Sequence, residues 1–197
     1  AVVDVNYGGS TGFGREYRER LRGNWGVVDV DDCTKAAQEL ISTGKANKDC
    51  IAIIGSSASA FTALGCLVSN DIFNIAACKY AVTDLISMAK STHRFEECYL
   101  DYLIGNIESD YETYIKRSPI KNVNCINVPL ILFHGLKDKV ISFKQSLAIK
   151  EKLLKRQIPV KISLFENEGH GFKDGKNKVD VLKDTEAFFR KYLRVFL

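Results

Sequence analysis

No stretch of this 197-residue chain approaches the ~18 consecutive apolar residues that a membrane span needs, and its first residues lack the charged-then-apolar layout of a secretion signal. Long blocks of one charge are missing too: 28 basic residues are interspersed with 24 acidic ones, for a net charge of +4. That excludes an electrostatic footprint of the kind that carries nucleic-acid or anionic-surface binding. The six cysteines contain no Cys-x-x-Cys pair and have no histidine at zinc-finger spacing, so they predict reduced thiols, with Cys66 and Cys78 buried in apolar segments, and no metal site. These absences together predict a soluble, cytoplasmic chain. Internal repeats are absent as well. What remains is 46% hydrophobic residues in a length that suits one domain, residues 1–197.

Along the chain, strand-like and helix-like patterns alternate. Residues 2–6 are short and β-branched and end in the glycine-rich "YGGSTGFG", which predicts a strand followed by a loop. Residues 15–21 suit a helical turn, and residues 29–41 a helix with acidic residues in its first turn. Residues 51–54 form a continuous apolar run, the pattern of a strand buried on both faces, and residues 59–69 follow as helix. Residues 75–82 predict another strand and residues 85–104 two short helices. "VPLILFHG" predicts a buried strand, residues 143–156 a helix, and residues 160–164 an edge strand that alternates through Lys161 and Ser163. Val181, Leu182, Phe188, Phe189, Tyr192, Leu193 and Phe196 repeat at helical spacing, as in a helix laid on a sheet. Such alternation predicts an α/β fold with a mostly parallel sheet, whose chemistry gathers at the carboxyl ends of the strands.

"IAIIGSSASAF", residues 51–61, has the order strand, Gly-x-Ser, helix. That order describes a nucleophile elbow, in which a sharp turn lifts a serine hydroxyl clear of the sheet. Ser57 is the central residue, since neither Ser56 nor Ser59 has a glycine two positions before it. A serine attacks only when a base takes its proton, and a carboxylate must orient that base. "LILFHGLKDKV" puts Asp138 just beyond a strand, and "KISLFENEGHGF" puts His170 in a glycine-flanked loop beyond the next. The order Ser57, Asp138, His170 is the one α/β-hydrolases use. His134 is a rival base, though its place in the strand end suits a buried, hydrogen-bonded histidine. His93, in "STHRFEE", suits a helix surface or a substrate-side contact, and Asp84 is the rival carboxylate.

At these residues the chain resembles the catalytic domain of the prolyl oligopeptidase family of serine peptidases, on the branch of acylaminoacyl peptidases and dipeptidyl aminopeptidases. "NYGGSTGFGREYRE" resembles the family's Asn-Tyr-Arg-Gly-Ser-x-Gly-x-Gly segment and "WGVVDVDD" its Trp-Gly-x-x-Asp-x-x-Asp. "SPI", "HGLKDKV" and "EGHGF" resemble later landmarks in the same order, so the likeness runs over nearly the whole chain. Gly8 stands where the family usually has Arg, and Ser56, Ser59 and Ala60 stand where its elbow usually has Gly. Carried over, the resemblance implies Ser57, Asp138 and His170 as catalytic triad and the Ala58 N–H as one oxyanion donor.

The resemblance implies a C-terminal fragment of an α/β-hydrolase domain, with the sheet's first strands, the second oxyanion donor and a substrate-screening β-propeller supplied upstream. A missing strand is expected between residues 2–6 and residues 51–54, leaving edges open to self-association into a homo-oligomer. The implied substrate is a short peptide with a free or acylated N-terminus, hydrolysed through an acyl-enzyme without metal or organic cofactor. Tyr80, Val82 and Ile141 are the expected wall of the specificity pocket. A small-ester hydrolase with the same triad, and a binding module derived from a hydrolase with a degenerate elbow, are the alternatives. The "GGSTGFG" loop lacks the Lys-Ser/Thr ending of a phosphate-binding P-loop.

Overall fold

Leu130–Gly135 supplies six consecutive residues that no water reaches, and it forms the inner strand on which the fold is assembled. A computed structural model describes residues 1–91 and 99–193. Its four strands, β1 (Ala52–Ser56), β2 (Ile75–Lys79), β3 (Leu130–Gly135) and β4 (Val160–Phe165), pair in that order, all parallel. Helices connect them: α1 (Gly14–Glu19) and α2 (Val28–Ser42) precede β1, and α3 (Ala58–Ser69) joins β1 to β2. Three short helices, α4 (Leu85–Ser91), α5 (Tyr99–Leu103) and α6 (Tyr111–Arg117), lie between β2 and β3. Helix α7 (Phe143–Lys155) joins β3 to β4, and α8 (Gly175–Tyr192) ends the described chain.

Alternation along the strands sends side chains into two layers. Ala76, Cys78, Leu130 and Leu132 pack with Leu64 and Leu67 of α3 and Ile149 and Leu153 of α7. Ile75, Ala77, Ile131 and Phe133 pack with Val181 and Phe188 of α8. A third cluster joins Trp25, Phe61, Leu85, Leu103 and Tyr114 under the short helices. This is the α/β-hydrolase arrangement, with helices on both faces of a parallel sheet.

Several expectations change. Residues 2–6 form no strand: Val2 is 92% exposed, and the segment is held instead by Asp32, which accepts from the Gly8 N–H at 2.7 Å, and by the Tyr17 hydroxyl, which donates to the Asn6 carbonyl. β-branched residues favour extended backbone only where a neighbouring strand takes up their hydrogen bonds. The gap expected between two strands is therefore one free edge of β1, among the described residues. β1 is not buried on both faces either, because α8 packs against β2 and β3 and leaves Ile54 60% exposed. Leu182, 70% exposed, turns out of the apolar stripe of α8, one residue and about 100° past Val181. Helix α6 was not expected, and Phe196 lies outside the described residues. β4 is an edge strand, as its alternation predicts.

Candidate active site

Three turns at the carboxyl ends of β1, β3 and β4 build the site. After β1 the chain must reverse at once into α3, and Ser57 takes a φ of +53° to do so. Only glycine fits at position 55, because a Cβ there would lie 2.3 Å from the Ser59 carbonyl oxygen. The departure at position 59 strengthens the turn: the Ser59 hydroxyl accepts from the Ser56 N–H and donates to the Ser56 carbonyl, both at 2.8 Å. Ser57 donates its own N–H to the Lys79 carbonyl at the end of β2, which fixes the turn on the sheet. Ala58 opens α3 and is exposed. Its N–H belongs to the first turn, where donors have no acceptor within the helix.

Asp138 sits in the turn after β3 with a fully buried side chain. Its Oδ1 accepts from the N–H groups of Val140 and Ile141, both at 2.9 Å, and its Oδ2 faces His170 Nδ1 at 2.9 Å. Burial pushes its pKa up. Hydrogen bonds from His134, His170 and the two N–H groups outweigh it and hold the carboxyl well below the usual range. His170 is carried by the loop after β4, and its Nε2 lies 2.8 Å from Ser57 Oγ. A continuous relay thus runs from Ser57 Oγ through the imidazole to Asp138. With the Nδ1–H donating to the carboxylate, Nε2 is left as the acceptor for the serine proton.

One support was missed from sequence. Glu168 is buried and ties the histidine loop to the start of α8: it accepts from the N–H groups of Lys173 and Asp174, at 2.9 and 3.0 Å, and from Asn177 Nδ2 at 2.8 Å. Its carbonyl accepts from the Lys137 N–H at 2.9 Å, joining the histidine and aspartate turns. "EGHGF" was the only signal, and it does not show where the carboxylate points. Tyr80 follows β2 at a φ of +38°, and its ring packs 4.7 Å from that of His170 and 5.5 Å from that of Phe172.

Neither His134 nor Asp84 is hydrogen-bonded to Ser57. His134 is fully buried, with Nδ1 2.8 Å from Ser146 Oγ and Nε2 2.9 Å from the Ile141 carbonyl and 3.2 Å from Asp138 Oδ2, so it braces the aspartate from behind. Asp84 accepts from the N–H groups of Ile86 and Ser87 at the start of α4. His93 lies outside the described residues. Of the expected pocket wall, only Tyr80 adjoins the site. Val82 and Ile141, 1% and 2% exposed, are packed into the cluster around Trp25 and Leu85 and present no surface to a ligand. Among the described residues, no group of three or more His, Cys, Asp or Glu is placed to hold a metal ion, and no helix is long and apolar enough to cross a membrane.

Known proteins are similar to this chain in sequence and frame. The model of the prolyl oligopeptidase family matches residues 1–195. Dipeptidyl aminopeptidase BIII of Pseudoxanthomonas mexicana is 28% identical over 98% of the chain, and the acylamino-acid-releasing enzyme of Mus musculus is also 28% identical over 98%. The chain spans 29% and 27% of their lengths. A puromycin-hydrolyzing peptidase of Mycobacterium tuberculosis superposes with a TM-score of 0.95 at 41% identity, over 97% of this chain and 29% of that one. Acylaminoacyl peptidase of Pyrococcus horikoshii, at 22% identity, shares the fold with a TM-score of 0.88 over 98% of this chain and 32% of that one.

Proposed function

The chain belongs to the prolyl oligopeptidase family, and from that membership we propose that it carries the catalytic centre of a serine peptidase acting on short peptides with a free or acylated N-terminus. The hydrogen-bonded relay Ser57–His170–Asp138 is the observation that carries this reading. Ser57 Oγ attacks the scissile carbonyl carbon while His170 Nε2 takes its proton, and Asp138 holds the imidazole and stabilises the imidazolium. The oxyanion of the tetrahedral intermediate is stabilised by the Ala58 N–H at the head of α3. His170 then gives the proton to the leaving amine. A water, deprotonated by the same Nε2, hydrolyses the acyl-enzyme and restores Ser57. Tyr80 bounds the site beside the base. No step calls on a metal or an organic cofactor.

Similarity to acylamino-acid-releasing enzymes, a dipeptidyl aminopeptidase and puromycin-hydrolysing peptidases supports an acyl or aminoacyl amide as substrate class. The free thiols of Cys66 and Cys78 support a cytoplasmic setting. The test is an active-site fluorophosphonate applied to the full-length protein, followed by assay on acyl-peptide anilides, dipeptide anilides, puromycin and short p-nitrophenyl esters. We expect one adduct, on Ser57, its loss together with turnover in His170→Ala, and cleavage of at least one of the amide substrates. An adduct on Ser56 or Ser59, or retained turnover in a folded His170→Ala protein, would overturn the site. Hydrolysis of the esters alone would make the protein an esterase.

A further inference from the structure

Helices α2 and α3 lie side by side in a register that three polar contacts define. Thr62 Oγ1 donates to Asp29 Oδ2 at 2.5 Å, Cys66 Sγ lies 3.7 Å from the Val30 carbonyl oxygen, and at the end of α3 Asn70 Nδ2 donates to Thr34 Oγ1 at 2.9 Å. The partners on α3 advance by four residues, 62, 66 and 70, so the helices run in the same direction through two turns. Moving one turn along both helices from Asp29 and Thr62 brings Cys33 opposite Cys66. Approach at this point is close, since a Cβ on Gly65 would lie 2.8 Å from Val30 Cγ2. The side chain of Cys33 packs against the cluster that contains Cys66, and the two thiols are close enough to shift each other's pKa.

We propose that Cys33 and Cys66 are a covalent modification site: an oxidisable dithiol that a hydroperoxide converts to a disulfide, stapling α3 to α2 behind the Ser57 turn. Cys33 is only partly buried and Cys66 fully buried, so the oxidant meets Cys33 first. The neighbouring Cys66 also holds the Cys33 thiol below its ordinary pKa, against burial and the nearby Asp29 and Asp32, while the same proximity and burial push Cys66 far up. The Cys33 sulfur attacks a peroxide oxygen, the O–O bond breaks, and Cys33 becomes a sulfenic acid as an alcohol or water departs. Cys66 sulfur then displaces the hydroxyl, which leaves as water with the Cys66 proton. The two thiols have lost two electrons and the peroxide has gained them. An external dithiol reverses the step. Cys78 does not compete, because it is buried in the sheet with its thiol pushed up to about 12.

Hydrogen peroxide treatment of the full-length protein, alkylation of the remaining thiols and peptide mapping test this directly, without reference to peptidase activity. The expected product has lost two hydrogens, contains a peptide linking Cys33 to Cys66, reverts with dithiothreitol, and melts about 5 °C higher, as a disulfide that closes a loop of this size should. In Cys66→Ser the Cys33 sulfenic acid should persist long enough to be trapped by dimedone. Full alkylation of Cys33 and Cys66 after peroxide treatment that oxidises the exposed Cys125, or a link from Cys33 to another cysteine, would overturn the proposal. The mapping needs only the unmodified sequence, so it remains decisive if the variant does not fold.

Discussion

Tyr80 leaves β2 with a positive φ, a backbone cost that a bulky side chain rarely carries, and spends it on laying its ring against His170. From sequence the residue was expected to contact substrate. In the structure it bears on His170, with Phe172 on its other side. The two roles separate kinetically: loss of a substrate contact raises KM, whereas loosening the imidazole lowers kcat. We expect Tyr80→Ala to cut kcat about 10-fold with KM nearly unchanged, since a small misplacement of a reacting group is enough for such a loss. A variant with unchanged kcat and raised KM would return Tyr80 to the pocket wall. Positions like this are hard to find in a sequence because the contact is made across the sheet. Ser57, Asp138 and His170 were legible because each follows a strand end. That His170 rather than His134 faces Ser57 was legible too, since glycines flank the first and apolar residues precede the second.

At the scale of elements, β3 was plain because its apolar run Leu130, Ile131, Leu132 and Phe133 suits a strand covered on both faces. Residues 2–6 carry the same β-branched signal without a neighbour to pair with, and nothing in their own letters reports that. α6 is seven residues long, too short for a periodic stripe, and is anchored by Tyr114, whose hydroxyl donates to the Gly105 carbonyl. The loop after β4 depends on contacts equally invisible to periodicity, because Glu168 reaches five, six and nine residues ahead. Its carboxyl is held below the ordinary value by Asn177 first, then by the Lys173 and Asp174 N–H groups acting against burial. Asp138 is lowered as well. A carboxyl depressed in the folded state adds stability that is complete above its unfolded pKa, roughly 4, and is lost as pH falls through the folded value. The protein should therefore keep a level melting temperature at neutral pH and lose it steadily below about pH 5. In Glu168→Gln the descent should be shallower, because one linked proton is gone. An unchanged slope in melting curves taken from pH 7 to 2 would show that Glu168 does not titrate with folding.

The whole molecule presents a different problem, because its sheet ends on β1 with one side of the ladder paired to β2 and the other side paired to no strand among the described residues. The free side carries backbone N–H and C=O groups that another strand can meet, and nothing in "AIIGS" blunts it, since the strand has no charge, proline or bulge. The adjoining face is apolar too: Ile54 is 60% exposed where α8 stops short of β1. An open edge beside an exposed aliphatic side chain favours pairing with a second copy, β1 to β1, which would bury both the ladder groups and Ile54. Residues 1–197 made on their own should associate with increasing concentration, dimer first, as followed by sedimentation velocity from about 1 to 100 μM. Ile54→Lys should shift that association to at least ~10-fold higher concentration, because a charge on the exposed face must be desolvated before the strands can meet, while β1–β2 pairing and the Ser57 turn remain as they are. Lys161→Ala on the opposite edge strand β4 serves as the control and should leave association unchanged. A chain that stays monomeric throughout, or a dimer as strong with Ile54→Lys as without it, would show that the β1 edge is not the surface through which copies meet.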